Sequence, residues 1–296
     1  MKARYILVLS ALIASPAAAE PMTPSVKAMI EKAAQSGDQA KIDAVVGVAK
    51  SLHPESAGEI DSTVAAVKSD REAQRQEKLA KGGFFDNWTG SGEVGGSFAT
   101  GNSTTKTVAV GVALKKDGIR WRQALQAKAD FQRSDGQTDQ ERFAASYQID
   151  RKLNKHLYVF ANVGWERDQG AGLNSRFTET LGLGYRVVDK PSFTWDLEGG
   201  PALRQARFID RDENGLAFRA ASKLGWTITP GIVVTQVTNG FFESGTTSAT
   251  AETAITGQLV GALSARLSFN VLYESDPPIG LKHIDTVTRA TLVYGF

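Results

Sequence analysis

From Trp88 to Phe296 apolar residues recur at every second position, a pattern that few folds accept over so long a stretch. Ile119, Trp121, Leu125, Ala127, Ala129 and Phe131 alternate with Arg120, Arg122, Gln126, Lys128 and Asp130. Phe193, Trp195, Leu197 and Leu203 alternate with Thr194, Asp196, Glu198 and Arg204, and Leu216, Phe218, Ala220, Leu224 and Trp226 with Ala217, Arg219 and Lys223. Successive side chains of a strand point to opposite faces. One face is therefore apolar and the other charged or small. A helix would space its apolar residues three and four apart instead.

A soluble sandwich also alternates, but its strands average about 5–6 residues. These runs are as long as the about 9–11 residues that a tilted membrane-spanning strand needs. Connections alternate in length as well. Short ones fall at 115–118, 188–191, 227–231 and 262–264, longer ones at 132–140, 168–174, 207–214, 243–248 and 275–283. Short turns on one side of a membrane and longer loops on the other mark an outer-membrane barrel. Trp88, Phe98, Trp121, Phe131, Trp165, Phe193, Trp195, Trp226 and Tyr294 fall near strand ends, as interfacial girdles do. Strand starts are expected near 88, 104, 119, 141, 156, 175, 192, 214, 231, 250, 264 and 284. The fold class is thus all-β: an antiparallel transmembrane β-barrel of about twelve strands, preceded by a short α-helical periplasmic segment. The least regular run is Ile232 to Thr238, where Val233 and Val234 blur the phase.

The N-terminus reads as an address. Lys2 and Arg4 precede an apolar run from Tyr5 to Ile13, and Ala17-Ala18-Ala19 offers a cleavage site. A charged start, a short apolar core and small residues make a Sec-type signal peptide over 1–19. Residues 20–83 then follow a helical period. Val26, Ile30, Ala33 and Ala34 share a face, as do Ile42, Val45, Val46 and Ala49. Breaks are expected at 36–38 and 52–58. A third helix from Ile60 should decay into the charged stretch 68–81, and paired glycines at 82–83 end the segment. The barrel occupies 84–296. The chain has no Cys, 42% hydrophobic and 22% charged residues. That balance excludes a disulfide scaffold, a disordered chain and a polytopic helical membrane protein. A net charge of +2 gives no electrostatic case for nucleic acid.

The final strand alternates Ala290, Leu292, Tyr294 and Phe296. Tyr294 and Phe296 read as an assembly signal for the barrel assembly machinery, against the plainer reading of an ordinary edge strand. The opening WTGSGEVGGSFATGNSTT, Trp88 to Thr105, resembles the salt-induced outer-membrane protein family, a β-barrel domain family of unknown function. WERD at 165–168, GLGYR at 182–186 and YGF at 294–296 fit the same pattern. The resemblance covers 84–296. It implies a barrel in the outer membrane of a Gram-negative cell, in contact with its lipids, and brings no catalytic or binding residues.

The inward positions carry both signs of charge, including Glu93, Arg120, Arg122, Lys128, Asp130, Arg219, Lys223 and Arg289. Paired, they would fill and stiffen a lumen; a basic excess would instead favour anions in a channel. Three readings follow: an envelope structural or stress-response barrel, a narrow channel for ions or small solutes, and an outer-membrane hydrolase. For the last, only His283 lies on the outer side, with Asp276, Asp285, Ser275 and Ser244 near it in sequence. A lone loop His is more often a solvated surface residue, so no enzyme is expected. TGNS at 100–103 reads as a tight loop, and GEVGG at 92–96, with no helix after it, is not a phosphate loop. No cofactor or metal is implied, and the sequence does not fix an oligomeric state.

Overall fold

The computed structural model describes residues 22–37, 39–83, 86–99, 105–134, 137–170, 172–276 and 282–296. The expected signal peptide and the TGNS turn lie outside these residues. The chain divides after Lys81 into a helical unit and a barrel unit, Gly82–Phe296.

The helical unit comprises α1 (Pro24–Ser36), α2 (Gln39–Leu52), a 3-10 turn at Pro54–Ser56, and α3 (Ala57–Lys81). Met22, Ile30, Ala49 and Ile60 form its core, with Val26, Val45, Val46 and Val64 packed around them. The apolar stripes thus pack on one another. Gly37 ends α1 at φ 72°, in the left-handed region that glycine enters without penalty. A Cβ there would lie 2.4 Å from the guanidinium of Arg71, which donates to the Ala34 carbonyl at 3.0 Å. The third helix does not decay at 68. Hydrogen bonds of 2.6 Å from Gln76 to Glu72 and 2.5 Å from Lys81 to Glu77 link residues four apart along its charged half. Among the described residues no helix is long and apolar enough to cross a membrane.

The barrel unit is a closed, antiparallel barrel in which each strand pairs with its sequence neighbours and β1 meets β12. Its strands are β1 (Trp88–Ala99), β2 (Thr105–Asp117), β3 (Trp121–Ser134), β4 (Gln137–Lys152), β5 (Leu157–Asp168) and β6 (Leu173–Lys190). They continue with β7 (Phe193–Phe208), β8 (Asp212–Thr229), β9 (Ile232–Glu243), β10 (Thr247–Val260), β11 (Leu263–Glu274) and β12 (Ile284–Gly295). The strand count agrees with the sequence reading, and the ambiguous run at 232 is a strand. Loop lengths differ from expectation. The loops expected at 132–140 and 207–214 shrink because β3, β4, β7 and β8 extend into them, and only 275–283 remains long. The residues there are mostly polar, and the backbone ladder continues past the apolar band.

Closure needs a particular contact. Ser91 to Gly96 of β1 pair with Gly295 to Ala290 of β12. Gly90 and Phe296 then exchange two backbone hydrogen bonds of 2.8 Å. A Cβ on Gly90 would lie 2.5 Å from the Phe296 ring, so glycine makes room for the terminal aromatic. Tyr294 and Phe296 both stand exposed on the outer surface. Around the barrel the outward residues Leu181, Leu197, Leu203, Leu216, Phe218 and Leu267 are likewise exposed, an apolar surface far beyond what a soluble monomer leaves uncovered.

Candidate functional site

The inward face carries an extended ion network, and register explains how it is assembled. Directly opposed residues share a face, so Arg122 of β3 meets Asp150 of β4, and Arg186 of β6 meets Asp196 of β7. Arg122 reaches Asp150 at 2.6 Å and Asp196 at 3.9 Å, and lies 4.7 Å above the Tyr158 ring. Arg186 grips Asp196 with two hydrogen bonds of 2.8 and 3.1 Å. β3 and β7 are not neighbours, so the Arg122–Asp196 pair crosses the interior.

Glu198 of β7 is the hub. Its side chain is fully buried and accepts from Lys223 at 2.7 Å and Arg219 at 3.1 Å. Gln148 at 2.9 Å and Tyr158 at 3.0 Å also donate to it. Arg219 donates further to Asn239 at 2.7 Å and covers the Phe160 ring at 5.5 Å. Four donors on one carboxylate offset the cost of removing its charge from water. The carboxylate thereby ties β4, β5, β7 and β8 together.

A second group of pairs closes the opposite side. Asp130 of β3 meets Arg289 of β12 at 2.9 Å. Lys128 of β3 meets Glu252 of β10 at 3.5 Å, and Arg266 of β11 binds the same carboxylate. Toward the loop end Arg176 and Arg142 share Glu166 at 2.8 and 3.9 Å, and Arg204 pairs with Glu243. Strand β3 thus sends Arg122, Lys128 and Asp130 to three non-adjacent strands.

Two expected lumen charges behave differently. Arg120 lies in the β2–β3 turn and is exposed, because β3 begins only at Trp121. Its inward parity is therefore not realised inside the barrel. Glu93 is half-buried opposite Gly111, and no ion pair joins it among the described residues. Several members were not evident from sequence. Glu252 sits in TSATAETAITG, where both faces are small and the phase is mute. Tyr158 and Gln148 were legible only through their parity with Asp150 and Phe160.

The GLGYR motif acquires a packing role. Gly182 and Gly184 of β6 face the rings of Phe160 and Tyr158 from β5. A Cβ on Gly184 would lie 2.1 Å from the Tyr158 ring, and one on Gly182 2.8 Å from Phe160. Tyr158 is buried and held by Glu198, so it has nowhere to go. Gly184→Ala should therefore lower stability by about 1–3 kcal/mol, the usual cost of overpacking. Gly92→Ala, where a Cβ meets nothing within 4 Å, should leave the urea midpoint unchanged.

Among the described residues no hydrogen bond joins His283 to Ser244, Ser275, Asp276 or Asp285. The His283 Nδ1 lies 3.0 Å from the Glu274 carbonyl, while the Ser275 hydroxyl accepts from the Thr247 amide at 2.7 Å. Among the described residues no group of His, Cys, Asp or Glu is arranged to hold a metal ion.

Residues 92–296 match the family described as "Protein of unknown function, DUF481". The chain belongs to this family. The DUF481 match contains the ion network and the closing strand. An uncharacterized protein of Escherichia coli (strain K12), YdiY, is 23% identical over 197 residues, covering 66% of this chain and 78% of its own length. Similarity to solved structures is more distant. The NanC porin has a TM-score of 0.45 at 8% identity, over 70% of this chain and 98% of that one. An outer membrane channel from Pseudomonas putida F1 gives 0.44 at 11% identity, over 73% and 100%. The translocator domain of the autotransporter NalP from Neisseria meningitidis gives 0.41 at 12%, over 80% and 97%.

Proposed function

We propose that this DUF481 protein spans the outer membrane as a charge-braced barrel, with its N-terminal helices in the periplasm. It serves the envelope as a structural or stress-response element, catalyses no reaction and passes little solute. The observation that carries this reading is the set of ion pairs crossing the lumen from β3: Arg122–Asp196, Lys128–Glu252 and Asp130–Arg289. Barrels near eight strands are filled by side chains, and open aqueous pores need roughly 16–18. At twelve strands the inward side chains decide, and here long charged ones reach across. The apolar outer surface and girdle aromatics support the membrane placement.

One observation favours a narrow channel as the second reading. Inward-facing Ala113 and Gln126 are exposed, so space remains beside the β2–β3 wall. Single-channel recording in a planar bilayer separates the two. The expected result is a small or absent conductance at neutral pH, rising when Lys128 and Arg289 are both truncated to Ala. A large, steady conductance in the unmodified protein would establish the channel instead.

A further inference from the structure

Unpaired cations gather on one side of the turn end of the barrel. Arg120 lies in the β2–β3 turn, Lys155 in the β4–β5 turn, Arg151 at the end of β4 and Lys190 at the end of β6. All four are exposed, and none has a carboxylate partner among the described residues. The nearby carboxylates are already engaged: Asp117 by Lys152, and Asp189 by Arg186 at 3.2 Å. The remaining turns of this end, Thr229-Pro230-Gly231 and Val260-Gly261-Ala262, carry no charge at all.

The cations are set beside outward apolar and aromatic groups. Arg151 opposes Trp121 across the β3–β4 ladder, its guanidinium 5.8 Å from the indole. Asp150 points into the lumen, so Arg151 points out. Leu153, Tyr185 and Trp121 are exposed at the same level, and Tyr185 stacks on His156 at 5.8 Å. Lys190 opposes Phe193. A cation above an exposed aromatic or aliphatic residue at a membrane boundary is placed to meet a phosphate while acyl chains cover the apolar group. Together the four cations, across three successive turns, form one continuous sector.

We infer that this sector, from the β2–β3 turn to the β6–β7 turn, binds the headgroup of an anionic phospholipid in the leaflet at the turn end. The inference rests on the membrane-spanning reading above. The phosphate meets Arg120, Arg151 and Lys155, and the chains lie on Trp121, Leu153 and Tyr185. The uncharged turns on the other side contact acyl chains without headgroup preference. The sector therefore fixes both the depth and the rotational setting of the barrel in an anionic leaflet.

The test uses the full chain, folded in detergent micelles and examined by native mass spectrometry. Phosphatidylglycerol, phosphatidylcholine and inorganic phosphate are added separately at equal concentration. The expected result is retention of phosphatidylglycerol, with neither phosphatidylcholine nor free phosphate retained. Each cation near a lipid surface is worth about fivefold in affinity. Replacing Arg120, Arg151, Lys155 and Lys190 together by Gln should then reduce retention at least tenfold. Arg120→Lys with Arg151→Lys should retain the lipid, and Arg207→Gln with Arg211→Gln and Lys282→Gln, at the opposite end, should not reduce it. Equal retention by the four-Gln variant, equal binding of phosphatidylcholine, or equal loss in the opposite-end variant overturns the inference. Free phosphate binding as well as the lipid overturns the lipid assignment. If the four-Gln variant does not fold, Arg151→Gln alone should still show a roughly fivefold loss, and an unchanged value overturns the inference. A heat-modifiable shift of the unmodified chain on gels tests the membrane reading separately: absence of the shift removes that reading, while its presence without lipid retention removes only this inference.

Discussion

Glu198→Ala is expected to destabilise the barrel by about 3–5 kcal/mol, the cost of leaving buried charges without their counter-ion. Arg219 and Lys223 both direct their charge to this one carboxylate, and Tyr158 and Gln148 donate to it as well. Removing it leaves Arg219, itself buried, with only the Asn239 amide oxygen as a hydrogen-bond acceptor among the described residues. Water would enter to solvate the cations, which loosens the contacts between β5, β7 and β8. The effect reads out as a lower denaturant midpoint for the barrel in vesicles. Glu252→Ala offers the contrast. Its side chain is 23% exposed, and its partners Arg266 and Lys128 are 23% and 40% exposed, so solvent already reaches all three groups and screens them. The expected cost is about 1 kcal/mol or less. Replacing Glu198, Arg219 and Lys223 together by apolar residues of similar volume should recover much of the loss, because no unpaired charge then remains. If the triple variant is as weak as Glu198→Ala, the network contributes through packing and not through charge pairing.

Fold and network were not equally legible in the sequence. The barrel was visible because its period of two is imposed by water on one face and apolar surroundings on the other. Wherever Arg or Asp alternates with Trp or Leu, as in Trp121–Phe131, the facing of each residue can be read directly. Loop lengths depart from the hydrophobic pattern for the same reason. The apolar band ends before the strand does, and the residues beyond it, such as Arg207 and Glu213, pair in a ladder that hydrophobicity does not mark. Arg120 failed in the opposite sense: its parity was right, but the chain had already turned. Which charges meet was not legible at all. Lys128 finds Glu252 across many intervening residues, and that depends on barrel curvature and strand stagger, which no local pattern encodes. Glu198 became a hub because Gly182 and Gly184 on β6 let the rings of β5 lie close beneath it. In sequence those glycines showed only as part of a family motif.

The alternation itself admits the most direct test, through two adjacent residues. Leu125 lies between the aromatic levels of Trp121 and Phe131, opposite Leu114 and Tyr147 on the outward face. Gln126 points inward, opposite Ala113 and Ser146, and is exposed to open space in the lumen. An Arg at position 125 must enter the hydrocarbon near its middle, at a cost of about 2–4 kcal/mol. An Arg at position 126 projects into that lumen space, where Glu93 on the same wall supplies a carboxylate. The measurement is the equilibrium unfolding of both variants in phospholipid vesicles, compared with the unmodified chain. The account predicts a loss of about 2–4 kcal/mol for Leu125→Arg and a change within about 0.5 kcal/mol for Gln126→Arg. Equal losses in the two variants, or a larger loss at Gln126, would contradict a barrel whose outer face meets lipid and whose inner face holds the charge.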